Sequence, residues 1–370
     1  MPGLYVHIPF CKSRCIYCGF YSTTASSAAR RYVDDLCREI ELRKGYLGEP
    51  PTTIYIGGGT PSQLPAGLLG RLFGGIDTSK AEEVTVECNP DDVTPGLAEA
   101  LASMPVNRVS MGAQTFDDGR LRFIRRRHDA AEVAAAVACL RKAGISNISI
   151  DLMYGFPGET IEQWQADIEK ALELCPEHIS AYCLSYEEGT PLYSMLKNGT
   201  VSETDEETCR AMYYELADRM AAAGYEHYEI SNFARPGFRS KHNSSYWSEV
   251  PYMGIGAAAH SYDGASRQWN VADINRYMLA IERGEVPTER ELLGERERYN
   301  DRVMLSLRTS EGIDIGKLRH DFGEHYAELC LKAAGRYIAD GLLERTGDRL
   351  RVARRGLFVS DMIMSDLMDA

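Results

Sequence analysis

The sequence predicts an α/β protein: an open partial barrel of six β-α units, followed by a small C-terminal helical, winged-helix-like domain. Three observations support this. Short β-branched runs alternate with helix-length segments as far as about residue 230. Four consecutive runs end in glycine or polar residues, and beyond about residue 287 the pattern changes to helices and one hairpin.

The predicted strands are 4–8, 53–56, 83–87, 108–112, 148–151 and 178–185, and a run at 225–230 pairs at an edge or leads out of the barrel. Between them the spacing predicts helices at 29–44, 66–73, 95–103, 130–143 and 159–174. Units of this length need right-handed crossovers and a parallel sheet. Functional residues are expected where strands hand over to helices. The candidates there are Gly57-Gly58-Gly59-Thr60-Pro61, Glu87-Cys88-Asn89-Pro90, Gly112-Ala113-Gln114-Thr115-Phe116 and the run from Asp151 to Gly158.

Residues 231–270 are rich in glycine, aromatics and polar groups, without clear periodicity, and include His242-Asn243-Ser244-Ser245-Tyr246-Trp247. Helices are predicted at 295–307, 315–322 and 325–340, with a hairpin around 343–352. The expected division is a barrel over 1–230, an irregular extension over 231–286 and the C-terminal domain over 287–370. A DNA-binding reading of that last domain is weak, because only Arg351, Arg354 and Arg355 supply local charge.

A net charge of −13 over 370 residues argues against nonspecific nucleic-acid binding, which needs excess positive charge. No run approaches the ~18 apolar residues of a membrane span. The start lacks a basic-then-apolar signal pattern, and ten cysteines without an export signal imply a reducing, cytosolic location. The cluster Arg120, Arg122, Arg125, Arg126, Arg127 and His128 reads as a solvated helix end.

Cys11, Cys15 and Cys18 have the spacing C-x3-C-x2-C directly after the first strand. Thiolates select iron–sulfur clusters and zinc. Three thiolates leave one iron of a four-iron cubane open. Structural zinc would need a fourth ligand, for which only His7 is near, and a redox pair Cys15–Cys18 leaves Cys11 unexplained. Cys37, Cys88, Cys139, Cys175, Cys183, Cys209 and Cys330 read as buried core thiols. The triplet Gly57-Gly58-Gly59 lacks a Walker lysine; it is an ordinary tight turn, or it lets the backbone approach a small zwitterion such as the methionine end of S-adenosylmethionine. Glu87, Gln114, Arg126 and Asp151 suit ribose hydroxyls, a carboxylate and a sulfonium, or are plain loop residues.

Taken with Tyr5-Val6-His7-Ile8-Pro9-Phe10-Cys11 and Asp151-Leu152-Met153-Tyr154-Gly155, this set resembles the radical-SAM superfamily. Within it the chain is similar to the oxygen-independent coproporphyrinogen III oxidases and their haem-chaperone paralogues, over nearly its whole length. The resemblance implies a [4Fe–4S] cluster on Cys11, Cys15 and Cys18. It implies a first S-adenosylmethionine at Tyr5, Tyr17, Gly58 and Glu87. Gly59, Thr60, Gln114, Arg126 and Asp151 match positions near a second one in the oxidases. Two departures favour the chaperone branch: Phe20 stands where the oxidases have a fourth cysteine, and their N-terminal extension has no counterpart here.

The expectation is therefore a protein that binds haem and passes it to apo-haemoproteins, with respiratory enzymes as candidate recipients and a peripheral membrane encounter. The alternative is oxidative decarboxylation of coproporphyrinogen III. The run from His242 to Trp247 looks like the chaperones' haem-associated motif. His242 is the expected iron ligand, with Tyr246 and Trp247 offering flat apolar faces. Read without the resemblance, the same run is a core-edge aromatic pair with a hydrogen-bonded histidine.

Overall fold

A computed structural model describes residues 2–369. The six predicted strands form: β1 (Gly3–Ile8), β2 (Thr53–Gly58), β3 (Glu83–Cys88), β4 (Arg108–Gln114), β5 (Asn147–Tyr154) and β6 (His178–Cys183). They pair in chain order, all parallel. The helices between them are α1 (Ala29–Leu42), α2 (Ala66–Gly74), α3 (Pro95–Ala102), α4 (Asp118–Phe123), α5 (Ala130–Lys142) and α6 (Ile161–Glu173). Their starts are chemically marked. Thr94 caps α3, while Asp129 with Glu132 and Thr160 with Gln163 form capping boxes on α5 and α6.

The strands alternate over most of their length. Leu4, Val6, Ile54, Ile56, Val84, Val86, Val109, Met111, Ile148 and Ile150 are buried in the main core with the apolar faces of the helices. The intervening Tyr55, Glu87, Ser110, Asp151 and Ser180 line an inner cavity instead. A parallel sheet dry on both faces reads as continuous apolar runs. Alternation here marks a sheet with one polar, hollow face.

After β6 come two helices beyond those the spacing predicts, α7 (Pro191–Lys197) and α8 (Glu206–Ala222). Cys209, Met212, Tyr213, Leu216, Ala217 and Met220 are the buried stripe of α8, at the three- and four-residue spacing of an amphipathic helix. The run at 225–230 does pair at an edge, as β7 (Glu226–Glu229) with β8 (Asn232–Ala234), which lies antiparallel to β6.

Residues 231–286 are not the irregular extension expected. They contain α9 (Lys241–Trp247), β9 (Tyr252–Ile255), β10 (His260–Tyr262), β11 (Ser266–Asn270) and α10 (Ile274–Glu282), and β12 (Thr288–Leu292) follows. β9 lies parallel to β1, and β10, β11 and β12 continue antiparallel, so among the described residues the sheet has twelve strands with β1 in its interior. The buried carboxylate of Glu39 on α1 anchors this half. It accepts from Asn270 Nδ2 (2.8 Å), the Gly256 amide (2.8 Å), the Tyr277 hydroxyl (2.6 Å) and Arg43 (3.3 Å).

The C-terminal part has its own core, built from Tyr299, Val303, Leu318, Ala334, Leu350 and Ile363 among others. It comprises α11 (Glu295–Leu307), β13 (Ile313–Asp314), α12 (Ile315–Ala339), β14 (Leu343–Thr346), β15 (Arg349–Val352) and α13 (Ser360–Leu367). α12 breaks at Gly323 (φ 84°), where two helices were predicted. The scattered cysteines are not all core thiols: Cys88, Cys209 and Cys330 are buried, Cys37 and Cys139 are partly so, and Cys175 and Cys183 are exposed. No helix among the described residues is long and apolar enough to cross a membrane.

Candidate functional site

The loop leaving β1 is pinned at both ends. The Cys11 amide donates to the Thr23 carbonyl (2.9 Å) and the Thr23 amide to the Pro9 carbonyl (2.7 Å). Ile16 is buried, accepts from the Leu192 amide and donates to the Ile124 carbonyl, which tacks the loop's middle to the far side of the barrel. Cys11, Cys15 and Cys18 consequently line one end of a cavity of about 610 Å³ enclosed by the strand ends. The remaining wall includes Tyr17, Gly58, Gly59, Thr60, Glu87, Gln114, Arg126 and Asp151. Eight of the expected cofactor-site residues thus converge with the cysteines, and Phe20 stands at the same rim.

Two expected residues do not reach this wall. Tyr5 stands behind it: its hydroxyl meets His7 Nδ1 at 3.0 Å, its ring stacks on Tyr55, and the His7 ring lies directly under Gly58. A β-carbon on Gly58 would meet that ring at 2.7 Å, and its φ of 115° also favours glycine. His242 lies at the opposite end, on the short helix α9 that closes the barrel floor. The Glu83 carboxylate accepts from the Lys241 and His242 amides at 2.9 Å each. His242 Nδ1 is paired with Thr53 Oγ1 (2.9 Å), Nε2 with the Tyr246 hydroxyl (2.8 Å), and the ring stacks on Tyr55. Burial holds its pKa down to about 3, with repulsion from Arg108 adding to this. The open imidazole expected in an irregular loop is instead a buried ring with both nitrogens engaged.

The arginine cluster is not a solvated helix end either; only Arg122 and Arg125 are exposed. Arg126 faces the cavity, with Nη2 donating to Asn89 Oδ1 (2.7 Å) and to the Gly112 carbonyl, and Nη1 3.8 Å from Cys15 Sγ. Arg127 pairs with Asp91 and Asp92, and Asp92 also takes Lys12 (2.6 Å) and Ser62 (3.0 Å), tying four loops together. Arg120 binds Glu159 and Asp167, whose carboxylates hold the Gly155, Phe156 and Thr115 turns. Gln114 adopts φ 69° at a bulge in β4, which turns its side chain into the cavity.

Glu87 accepts from the Tyr55 hydroxyl (2.8 Å) and the Gly58 amide (3.0 Å). Burial nevertheless raises its pKa to about 7, and burial raises that of Asp151 to about 6. Burial thus weakens both acids, and a donor in the cavity, such as vicinal ribose hydroxyls or a cation, would favour their ionised forms. Burial also raises the Cys11 and Cys18 thiols, so a metal taking them releases protons.

The donor set fits a cubane better than a single ion. No group of three or more His, Cys, Asp or Glu among the described residues is gathered closely enough to hold one metal ion. Cubane thiolates each bind a different iron and stand further apart than zinc ligands. Gly59 lies against the loop with no side chain in the way, and Arg126 supplies a positive charge beside Cys15. Sequence reasoning missed Tyr55, Ser110, Ser180 and Arg108 on this wall. The polar-apolar alternation of β2, β4 and β6 was the signal for them.

A partial parallel barrel with three cysteines on the loop after its first strand defines a radical-SAM protein, and the comparisons with known proteins agree. The Radical SAM superfamily pattern matches residues 5–171, and the HemN C-terminal domain matches residues 293–359. A Lactococcus lactis protein named heme chaperone HemW is 35% identical over 98% of this chain and 96% of its own length. A Bacillus subtilis protein of the same name is 33% identical over 98% of each. The Escherichia coli coproporphyrinogen III oxidase HemN superposes with a TM-score of 0.86 at 23% identity, over 99% of this chain and 90% of that one, which shows a shared fold. The chain belongs to the HemW family of radical-SAM proteins.

Proposed function

We propose that this chain is a haem chaperone that carries a [4Fe–4S] cluster on Cys11, Cys15 and Cys18 and binds S-adenosylmethionine in the barrel. The observation that carries the reading is full-length similarity to relatives named heme chaperone. Tyr17, Gly58 and Glu87 hold the S-adenosylmethionine nearest the cluster, with Tyr5 supporting Gly58 through His7. Gly59, Thr60, Gln114, Arg126 and Asp151 line the space around it. When bound, the cluster and S-adenosylmethionine supply one-electron chemistry; the protein's part is to orient the sulfonium ligand and exclude water. Haem is taken up and delivered to apo-haemoproteins, respiratory enzymes among them, in the cytoplasm or at a membrane surface.

The oxidase alternative is disfavoured by Phe20, a 71% exposed side chain on the rim where the oxidases place a cysteine. The test uses anaerobically reconstituted protein. About four irons per chain, stoichiometric haem uptake and transfer to an apo-haemoprotein are expected. Zinc at one per chain without iron, or conversion of coproporphyrinogen to protoporphyrinogen without haem uptake, overturns the reading.

A further inference from the structure

Arg108 begins β4 and is 1% exposed, yet it lines the cavity between Tyr55, Ser110, Asp151 and Ser180. A guanidinium carries five N–H donors in a rigid fork. Here Nε and Nη1 are buried without any hydrogen-bond partner, and Arg108 makes no ion pair within 4.0 Å among the described residues. Other buried ionic groups of the barrel are answered, Glu39 by four donors, Asp167 by three, and Glu83 by the start of α9. Buried charges are ordinarily paired and hydrogen-bonded. Arg108 stands out as a buried cation on the cavity wall with donors left unused.

We propose that Arg108 is the receiving residue of a carboxylate subsite deep in the barrel, below the cysteine loop, for an organic guest that carries an acid group. The chemistry of the wall selects a carboxylate over a phosphate. Glu87 and Asp151 lie close enough to feel Arg108, so beside it a dianion would meet more repulsion than a single carboxylate does. A single planar carboxylate can accept two parallel N–H bonds from the fork, and the Ser110 and Tyr55 hydroxyls lie on the same wall. Two sources of that acid are compatible with the cavity: a propionate arm of a tetrapyrrole, or the amino-acid end of an S-adenosylmethionine additional to the one at the cluster. Only the first source rests on the haem-chaperone reading.

The test uses full-length, cluster-reconstituted protein and Arg108→Gln, with the iron–sulfur spectrum and thermal melt as controls for folding. Binding of haem is compared with haem dimethyl ester, and S-adenosylmethionine stoichiometry is counted by equilibrium dialysis. A propionate source predicts that the parent prefers the free acid at least tenfold and that Arg108→Gln loses the preference. An S-adenosylmethionine source predicts that Arg108→Gln retains one equivalent fewer than the parent. If Arg108→Gln matches the parent in both measurements, the subsite is disproved. Should that variant not fold, the parent decides: equal affinity for acid and ester, together with a single S-adenosylmethionine per chain, overturns the proposal. Failure of haem to bind at all refutes the chaperone reading and leaves the dialysis count to judge Arg108.

Discussion

Gly59 lies against Cys11: a β-carbon on the glycine would stand 3.0 Å from the cysteine sulfur and 2.8 Å from the Phe10 carbonyl oxygen. The strand end after β2 and the loop after β1 are therefore packed backbone to sulfur, with no room for a methyl group.

Gly59→Ala should push the cysteine loop outward and lower the iron retained on reconstitution to well under half of the parent's. Gly67→Ala, on α2 with nothing within 4 Å of its β-carbon, is the control and should retain iron normally. Metal analysis and the visible spectrum check both. Equal iron in the two variants would show that the contact does not shape the loop.

Glu87 gives a pH dependence whose sign is fixed by its raised pKa. In the unfolded chain a glutamate titrates near 4.3, whereas the folded protein holds this proton up to about 7. The folded state binds more protons at this site across that window, so the contribution of Glu87 to stability is full below about pH 4 and is lost as pH rises through about 7. Asp151, raised to about 6, contributes in the same direction. Urea melts of cluster-free protein at pH 5 and pH 8 should show the decline. Glu87→Gln should remove part of it, on the order of 1–3 kcal/mol. An identical decline in the variant would locate the titration elsewhere.

His242→Ala removes two hydrogen bonds and a stacked ring from the barrel floor. A loss of about 2–4 kcal/mol is expected in denaturant melts, since Thr53 and Tyr246 are left with unpaired groups. Because both ring nitrogens are engaged, the Soret band of the haem-bound variant should coincide with the parent's. A displaced Soret band in folded protein would return His242 to the iron.

Glu39→Ala should be the most disruptive change outside the cavity. It leaves Arg43 half-paired and strips acceptors from Asn270, Gly256 and Tyr277, for a cost of about 3–5 kcal/mol. Measured m-values should stay constant if the change acts on the folded state alone. A loss below about 1 kcal/mol would mean that the network is dispensable.

The barrel strands were legible because each is a local alternation between turn residues, and the strand-end motifs fell where parallel β-α units place them. The cysteine loop was legible from spacing alone. Other features depend on partners far away in the chain. Residues 252–255 look too short and glycine-rich to be a strand until β1 offers its edge. The role of His242 depends on Thr53, and that of Tyr5 on His7 and Gly58, none of which a one-dimensional reading pairs. α8 carries its apolar stripe locally, and its buried side chains at Met212, Leu216 and Met220 were in principle readable in one dimension.

The position of β1 has a consequence for biogenesis. It is made long before its second neighbour, Tyr252–Ile255, which lies about 250 residues further along the chain. Until then one side of the strand that aims the cysteines is an unpaired ladder edge, open to pairing with another nascent chain. On the cluster proposal, loading of iron and sulfide belongs after translation of the second half. A truncated product ending before residue 252 would carry every cysteine of the motif and still lack the frame that holds them in register.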